Sequence, residues 1–219
     1  MENNYEILEK CPLFRDIKRE DLDAMLTCLG ASIRHFDKSA VIFHEGSDAR
    51  YMGIVLSGAA QLERVDYNGN RSIIMKLMPS EMMAEAFACS DLTELPIEIV
   101  AAEDSDIMLI NAERITRTCS NAFTFHSQMI YNLLQAVSIK NITLNQKIEI
   151  TSKRNTREKL MAYLMMEAKK RKSSTFTIPY DRQELADYLE VDRSGLSAEI
   201  SRMKKEGLID CSRSRFTVK

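Results

Sequence analysis

The sequence predicts an α+β chain: a small antiparallel barrel or sandwich, then one long helix, then a helical C-terminal module closed by a hairpin. Three observations carry this. Between Ile33 and Ile110, short apolar runs alternate with turn residues. From Asn121 to Ile150 there is neither glycine nor proline, and apolar residues fall into a heptad. Residues 181–209 hold two amphipathic segments, each opened by a capping residue, around a tight turn.

The length of 219 residues suits one large domain or two small ones. Hydrophobic residues make up 45% and charged residues 28%, which excludes a disordered chain, a collagen-like fibre and a pure coiled coil. No apolar run approaches the ~18 residues of a membrane span. The start, Met1 to Glu6, is acidic and lacks the apolar stretch of a secretory signal. A cytoplasmic protein with no membrane partner is expected. The five cysteines (Cys11, Cys28, Cys89, Cys119 and Cys211) are odd in number, scattered, and form no C-x-x-C pair. Neither a disulfide framework nor a metal site is expected from them.

Taken in order, Leu13, Phe14, Ile17, Leu22, Met25, Leu26 and Leu29 show helical spacing and predict an amphipathic start over 13–29. Val41–Phe43, Ile54–Leu56, Gln61–Val65, Ile73–Met75, Ile97–Val100 and Ile107–Ile110 read as strands. Asn68-Gly69 supplies the positive φ angles of a tight hairpin turn. Glu81–Cys89 reads as a single short helix inserted among them.

In the long helix, Phe123, Ile130, Val137 and Leu144 recur every seven residues. Ser127, Leu134, Asn141 and Ile148 follow each by four. Such a seam needs a partner: a second copy of the helix, with Asn141 setting the register, or the chain's own β-domain. The ~45 Å of helix would overhang a small barrel, which favours a parallel homodimer. The chain therefore divides into 1–120, 121–150 and 151–219.

The last third carries opposite charge to the rest. Residues 1–150 hold 14 basic and 22 acidic side chains, a net of −8; residues 151–219 hold 16 and 10, a net of +6. A basic module on an acidic body suits phosphate binding, or is a lysine-rich solvated surface. Thr156–Arg171 reads as a helix, and Phe176–Pro179 as an edge strand closed by proline.

In DRQELADYLEVDRSGLSAEISRMKKEGLI (181–209), Asp181 and Glu184 have capping-box spacing. Asp192 caps a second helix with Leu196, Ile200 and Met203 on its apolar side, and Gly207 ends it. Two short helices, a tight turn, Ala186 at their crossing and Val191 plugging the turn make a helix-turn-helix. The second helix of such a motif enters the major groove by its N-terminal end. It presents Arg193, Ser194, Ser197 and Ala198, with Arg202, Lys204 and Lys205 further along for phosphates. Arg193 can pair bidentately with guanine or hold a phosphate. Arg182 opens the first helix. Residues 211–218 look like a closing hairpin with Arg213 and Arg215 at its tip, a wing for the DNA backbone. A helical hairpin used only for packing is the alternative.

This organisation resembles the Crp/Fnr transcription regulators over essentially the whole chain. The segment Asp181–Ile209 carries the resemblance, supported by Pro12-Leu13-Phe14, Glu45-Gly46 and Leu56-Ser57-Gly58. The resemblance implies a cyclic-nucleotide-binding-like antiparallel β-roll of jelly-roll type, a long dimerisation helix and a C-terminal winged helix-turn-helix. It also implies an effector in the roll that repositions the long helices. A homodimer then demands a near-palindromic operator in double-stranded DNA, and RNA polymerase is a further candidate partner.

In cyclic-AMP-binding members, a Gly-Glu pair and an Arg-Ser pair hold the ligand phosphate. Ala84-Glu85 and Leu95-Pro96 stand at those places here. Without the arginine, a phosphate forfeits a charge-assisted bond of about 1.5–3 kcal/mol plus its desolvation. Cyclic AMP is not the expected effector. The pocket that remains, with Met82, Met83 and Phe87, is apolar and suits an unidentified small molecule, or is core.

A four-iron cluster does not fit Cys11 and Cys28, which have the wrong spacing. No cofactor is expected; haem is the alternative, with His126, His35 or His44 as ligand. A redox switch at Cys89 or Cys119 is a third option. In the recognition helix, Ser194 and Ala198 replace the family's base-reading glutamate and arginine, so its familiar operator is not carried over. With no nucleophile–base pair and no glycine-rich phosphate loop, no enzyme is expected. A signalling module whose helix-turn-helix docks protein is the rival reading.

Overall fold

The computed structural model describes residues 2–116 and 124–219. They form two compact units, one of Met1–Arg64 and Met75–Asn141, the other of Val65–Ile74 and Ile142–Lys219.

The first unit begins with α1 (Glu2–Lys10), a 3-10 turn (Pro12–Phe14) and α2 (Arg19–Leu29). The helical start predicted over 13–29 is thus a 3-10 turn and a helix. The preceding α1 was missed because its polar sequence offers few apolar anchors, chiefly the buried Leu8.

Strands β1 (Ser32–Phe36), β2 (Val41–Phe43), β3 (Tyr51–Ser57), β4 (Ala60–Val65), β5 (Arg71–Leu77) and β6 (Met82–Met83) follow. Then come α3 (Glu85–Ala88), β7 (Glu98–Ala101), β8 (Ser105–Asn111) and α4 (Glu113–Thr116). One antiparallel sheet has the order β1-β8-β3-β6, the other β2-β7-β4-β5. The α+β class and the antiparallel N-terminal sheets are as the sequence predicts.

Gly58 explains why Leu56-Ser57-Gly58 ends a strand. Its φ is +73°, and a Cβ there would stand 2.3 Å from both the Asp104 carbonyl and Ser105 Oγ. Only glycine permits both the angle and the approach.

The single helix expected over Glu81–Cys89 is corrected: Met82 and Met83 extend a sheet by pairing with Ile54 and Gly53, and only Glu85–Ala88 is helical. Ala84 between them adopts the left-handed conformation, with φ 62°, which stops a helix from running through.

Helix α5 (Thr124–Thr151) leaves the first unit at Asn141 and enters the second. Its inward side, Met129, Leu133 and Ala136, joins Leu13, Phe14, Met25 and Met82 in the core. The buried Asn132 donates from Nδ2 to the carbonyls of Leu13 (3.0 Å) and Arg15 (2.7 Å), which fixes the helix to the 3-10 turn. The heptad seam lies on a different face. Ile130, Leu134, Leu144 and Ile148 are exposed in the single chain, at 38–63%, and Ser127 and Asn141 are exposed too. Val137 alone of the seam packs partly on the core. Phe123 lies outside the described residues.

The second unit contains α6 (Thr156–Arg171), β9 (Thr175–Thr177), α7 (Arg182–Leu189), α8 (Arg193–Lys205), β10 (Ile209–Ser212) and β11 (Arg215–Val218). Asn155 caps α6 by accepting from the Glu158 amide at 2.9 Å. The sheet order β10-β11-β9 leaves β9 at an edge, next to Pro179 as expected. Leu160, Leu164, Leu185, Leu196, Ile200, Met203 and Phe216 form the core, joined by Ile73 from the β4–β5 hairpin. Tyr163, Tyr180 and Tyr188 cluster within it, with ring centroids 4.8–6.3 Å apart.

Lys147 of α5 is buried beside this cluster. It donates to the carbonyls of Ile73 (2.8 Å) and Tyr188, lies 4.0 Å from the Tyr188 ring, and stands 3.9 Å from a Glu190 carboxylate oxygen. Among the described residues no helix is long and apolar enough to cross a membrane.

Candidate nucleic-acid interface

The geometry of α7 and α8 follows from their caps. The Glu184 amide donates to Asp181 Oδ1, and the Asp181 amide donates to Glu184 Oε2, both at 2.8 Å. This reciprocal box satisfies two donors that a helix start leaves open. Glu190 then turns the chain with φ 54°, and the Val191 amide returns to the Ala186 carbonyl at 3.1 Å.

Asp192 opens α8 by accepting from the Gly195 amide at 2.8 Å and from the Ser194 hydroxyl. Those donors hold its carboxyl below the usual aspartate range. The proton of Ser194 is thereby committed, so its oxygen faces outward as an acceptor. Leu196, Ile200 and Met203 are buried, which leaves Arg193, Ser194, Ser197, Ala198, Ser201, Arg202 and Lys205 along one exposed face. Serine and alanine at its centre allow close approach to a surface. Arginine and lysine at its ends supply charge. Ser201, four residues after Ser197, belongs to this face and was overlooked, although the helical period predicts it.

The other expected phosphate-binding side chains divide. Arg202 is exposed, yet it donates to Glu199 at 3.1 Å. Glu199 is itself buried and lies 3.6 Å from Arg157, which pairs in turn with Glu206. Helix α6 is thus pinned to the recognition helix by carboxylates that charge counting places on the surface. Lys204 is turned away from the face, donating to the Cys211 carbonyl (2.8 Å) and pairing with Asp210 (3.0 Å). Arg213 forms the wing tip with φ 53°, and Arg215 is exposed at the start of β11. The Arg182 guanidinium lies over the Phe216 ring at 5.8 Å, so α7 and the wing share one cation.

In the first unit, Met82, Met83, Ala84, Glu85 and Leu95 are buried, Phe87 is half-buried and Pro96 is exposed. Met82 belongs to the hydrophobic core, and Met83 fills the space a side chain at Gly53 would take. Glu85 is 1% exposed and forms an ion pair at 2.5 Å with Lys140 of α5. Its partner could not be read from the sequence, because nothing local connects residues 85 and 140.

Of the two candidate redox cysteines, Cys89 is a free, exposed thiol among the described residues. Burial and the Glu85 charge push the pKa of Cys89 up, away from a reactive thiolate, and burial raises Cys11 to about 12. Cys119 lies outside them. Of the histidines, His35 is held by Asp106 at 2.8 Å, which raises its pKa. His44 is exposed 3.7 Å from Glu98, and His126 is buried. Among the described residues no three His, Cys, Asp or Glu gather as a metal site.

Residues 33–122 match the cyclic nucleotide-binding domain, and residues 158–219 match the Crp-like helix-turn-helix domain. The chain belongs to the Crp/Fnr family. It is a Crp/Fnr-type transcription regulator with an effector-binding domain and a DNA-binding domain.

A "probable transcriptional activator" of Rhizobium leguminosarum bv. viciae is 22% identical over 191 residues, 84% of this chain and 76% of the relative. The fold is shared with FixK2 of Bradyrhizobium japonicum (TM-score 0.68, 16% identity, 86% of this chain and 92% of that one). It is shared too with the c-di-GMP responsive global regulator CLP of Xanthomonas campestris (TM-score 0.73, 13% identity, 92% and 99%).

Proposed function

We propose that this Crp/Fnr regulator acts as a homodimer that reads a near-palindromic operator, and that the effector of its β-roll is not cyclic AMP. The observation that carries the first part is the exposed face of α8: a capped helix with Arg193 at its entry, small polar residues behind it and no bulky side chain to hold it off. The two-fold symmetry of a dimer would place half-sites about one helical turn apart.

The experiment is an in vitro selection from random duplexes, followed by fluorescence anisotropy against salt. The selected duplex is expected to lose at least about a hundredfold in affinity between 50 and 200 mM salt, because neutralised phosphates release counterions. A salt-independent affinity, or no selected duplex, would favour protein docking by the helix-turn-helix.

The dimer reading rests on the exposed apolar row Ile130, Leu134, Leu144 and Ile148, interrupted by the polar Asn141. A single chain leaves that row in water, and a second copy of α5 is the self-complementary surface that covers it. Leu134→Asp combined with Ile148→Asp is expected to halve the mass measured by sedimentation equilibrium and to weaken operator binding together with it. An unchanged mass would move the interface elsewhere.

The effector reading rests on charge. Ala84 and Leu95, which stand where the cyclic-AMP-binding relatives hold the phosphate, bring no cation there, and both are buried. Calorimetric titration with 1 mM cyclic AMP is expected to give no binding heat.

A further inference from the structure

The Lys140–Glu85 ion pair lies within the first unit, at the last inward position of α5 before the chain enters the second. Glu85 comes from α3, which follows the left-handed Ala84, and its carboxylate is almost wholly withdrawn from water. Lys140 Nζ stands 2.5 Å from Glu85 Oε1 and donates to the Met82 carbonyl, also at 2.5 Å. One side chain of the long helix therefore grips both the strand before Ala84 and the helix after it. Lys140 keeps 23% of its side-chain surface in solvent against 2% for Glu85, so lysine is the partner that can move. The residues from Asn141 to Gln146 are all exposed, and Lys147 is the next buried side chain of α5.

We infer that the Lys140–Glu85 pair is a built-in latch that takes the place of a ligand: it anchors the long helix on the β-roll without any small molecule, operator binding needs no effector, and an effector acts by breaking the pair. The physical basis is the asymmetry of buried charge. Glu85 cannot shed its charge partner without leaving a carboxylate unpaired in the protein interior, which is strongly unfavourable. The latch therefore stays closed until another group replaces the lysine. The inference rests on the DNA-binding reading for its operator clause, and on the first unit alone for its mechanical one.

The experiment uses the full chain in two measurements. In the first, operator affinity is compared before and after unfolding in guanidinium, exhaustive dialysis and refolding, which strips any carried-over ligand. The affinities are expected to agree within twofold. A loss of tenfold or more, restored by a small-molecule extract of the expressing cells, would overturn the inference.

In the second, Lys140→Met and the charge-free double variant Glu85→Leu/Lys140→Met are compared by amide hydrogen exchange over residues 129–141 and by operator binding. Both are expected to exchange at least tenfold faster there and to bind the operator at least tenfold more weakly. The double variant has no buried unpaired charge, so its melting curve separates a lost latch from a lost fold. If it recovers wild-type exchange and affinity, the pair merely neutralises a buried charge and the latch is refuted. If wild type selects no duplex at all, the DNA-binding reading fails, and hydrogen exchange alone still decides whether the pair anchors the helix.

Discussion

Arg193→Ala is expected to lower affinity for the selected operator by a hundredfold or more while leaving affinity for a scrambled duplex nearly unchanged. Arg193 is the first residue of α8, exposed, and it makes no ion pair among the described residues, so its guanidinium is available to a base edge. A bidentate arginine–guanine pair discriminates by about 1–3 kcal/mol, and a symmetric dimer uses it twice, about 2–6 kcal/mol in all. The check is anisotropy on both duplexes at fixed salt, because salt alone moves affinities by orders of magnitude. Equal losses on both duplexes would make Arg193 a phosphate contact. Arg213→Ala is the matching control: as a wing-tip cation it should weaken both duplexes alike and reduce the salt slope by about one. Neither side chain packs in the core, so melting temperatures should stay at the wild-type value.

The residues behind that prediction were legible from the sequence because their signals are local. Asp181 and Glu184, three residues apart, form the capping box; Asp192 caps α8; Gly207 follows its end with φ 76°. Each is a short-range pattern with one structural meaning. The heptad was legible for a related reason, since over 130–148 its apolar residues, Val137 excepted, mark a row distinct from the one that packs on the roll. Met129, Leu133 and Ala136 face inward, whereas Ile130 and Leu134 do not. Two apolar rows on one helix mean two surfaces to cover, and the roll covers only the first.

Buried charge was not legible. Glu85, Lys140, Lys147 and Glu199 all sit at inward positions, yet sequence patterns assign lysine and glutamate to the surface, where they nearly always belong. Their partners lie 55 residues away for Glu85, and on α6 as well as α8 for Glu199. Such pairings depend on how the elements pack and leave no trace in local periodicity. The short β6 was hidden for a different reason. Met82 and Met83 are good helix formers, and their pairing with Ile54 and Gly53 overrides that preference. Lys140 and Lys147 stand one heptad apart on α5, one holding the first unit's chain and the other the second's. The helix that joins the units is thus tied at each side of Asn141 by an amine.

The lysine in the second unit predicts an unusual pH dependence. Lys147 holds together three segments of that unit: α5 itself, the β5 strand through the Ile73 carbonyl, and the end of α7 through the Tyr188 carbonyl. Arg71 and Ser72 extend the same contact to Asp187 (2.7 Å) and Glu190 (3.2 Å). Lys147→Met removes the donor and leaves two carbonyls unsatisfied, at about 1–3 kcal/mol each, so at pH 7 the variant should be less stable than wild type by about 2 kcal/mol or more.

Burial lowers the Lys147 pKa from 10.5 to about 8, partly offset by the Glu190 carboxylate. Below pH 8 both folded and unfolded chains carry the proton, and the folded state bears the whole cost of the buried charge. Between pH 8 and 10.5 the unfolded chain still binds a proton that the folded chain has released, so unfolding becomes harder as pH rises. The stability gap between wild type and Lys147→Met should therefore widen from pH 7 to 9.5, approaching about 1 kcal/mol per pH unit at the steepest point. Tyrosines ionise in the unfolded chain at about pH 10 while burial holds Tyr188 at about 12 in the folded one, but both proteins carry the same tyrosines, so that contribution cancels in the gap. Denaturant melts of the two proteins at each pH decide the matter. Parallel curves would mean that Lys147 keeps its ordinary pKa and lies in contact with water, and a gap that narrows would mean that Glu190, not burial, governs its charge.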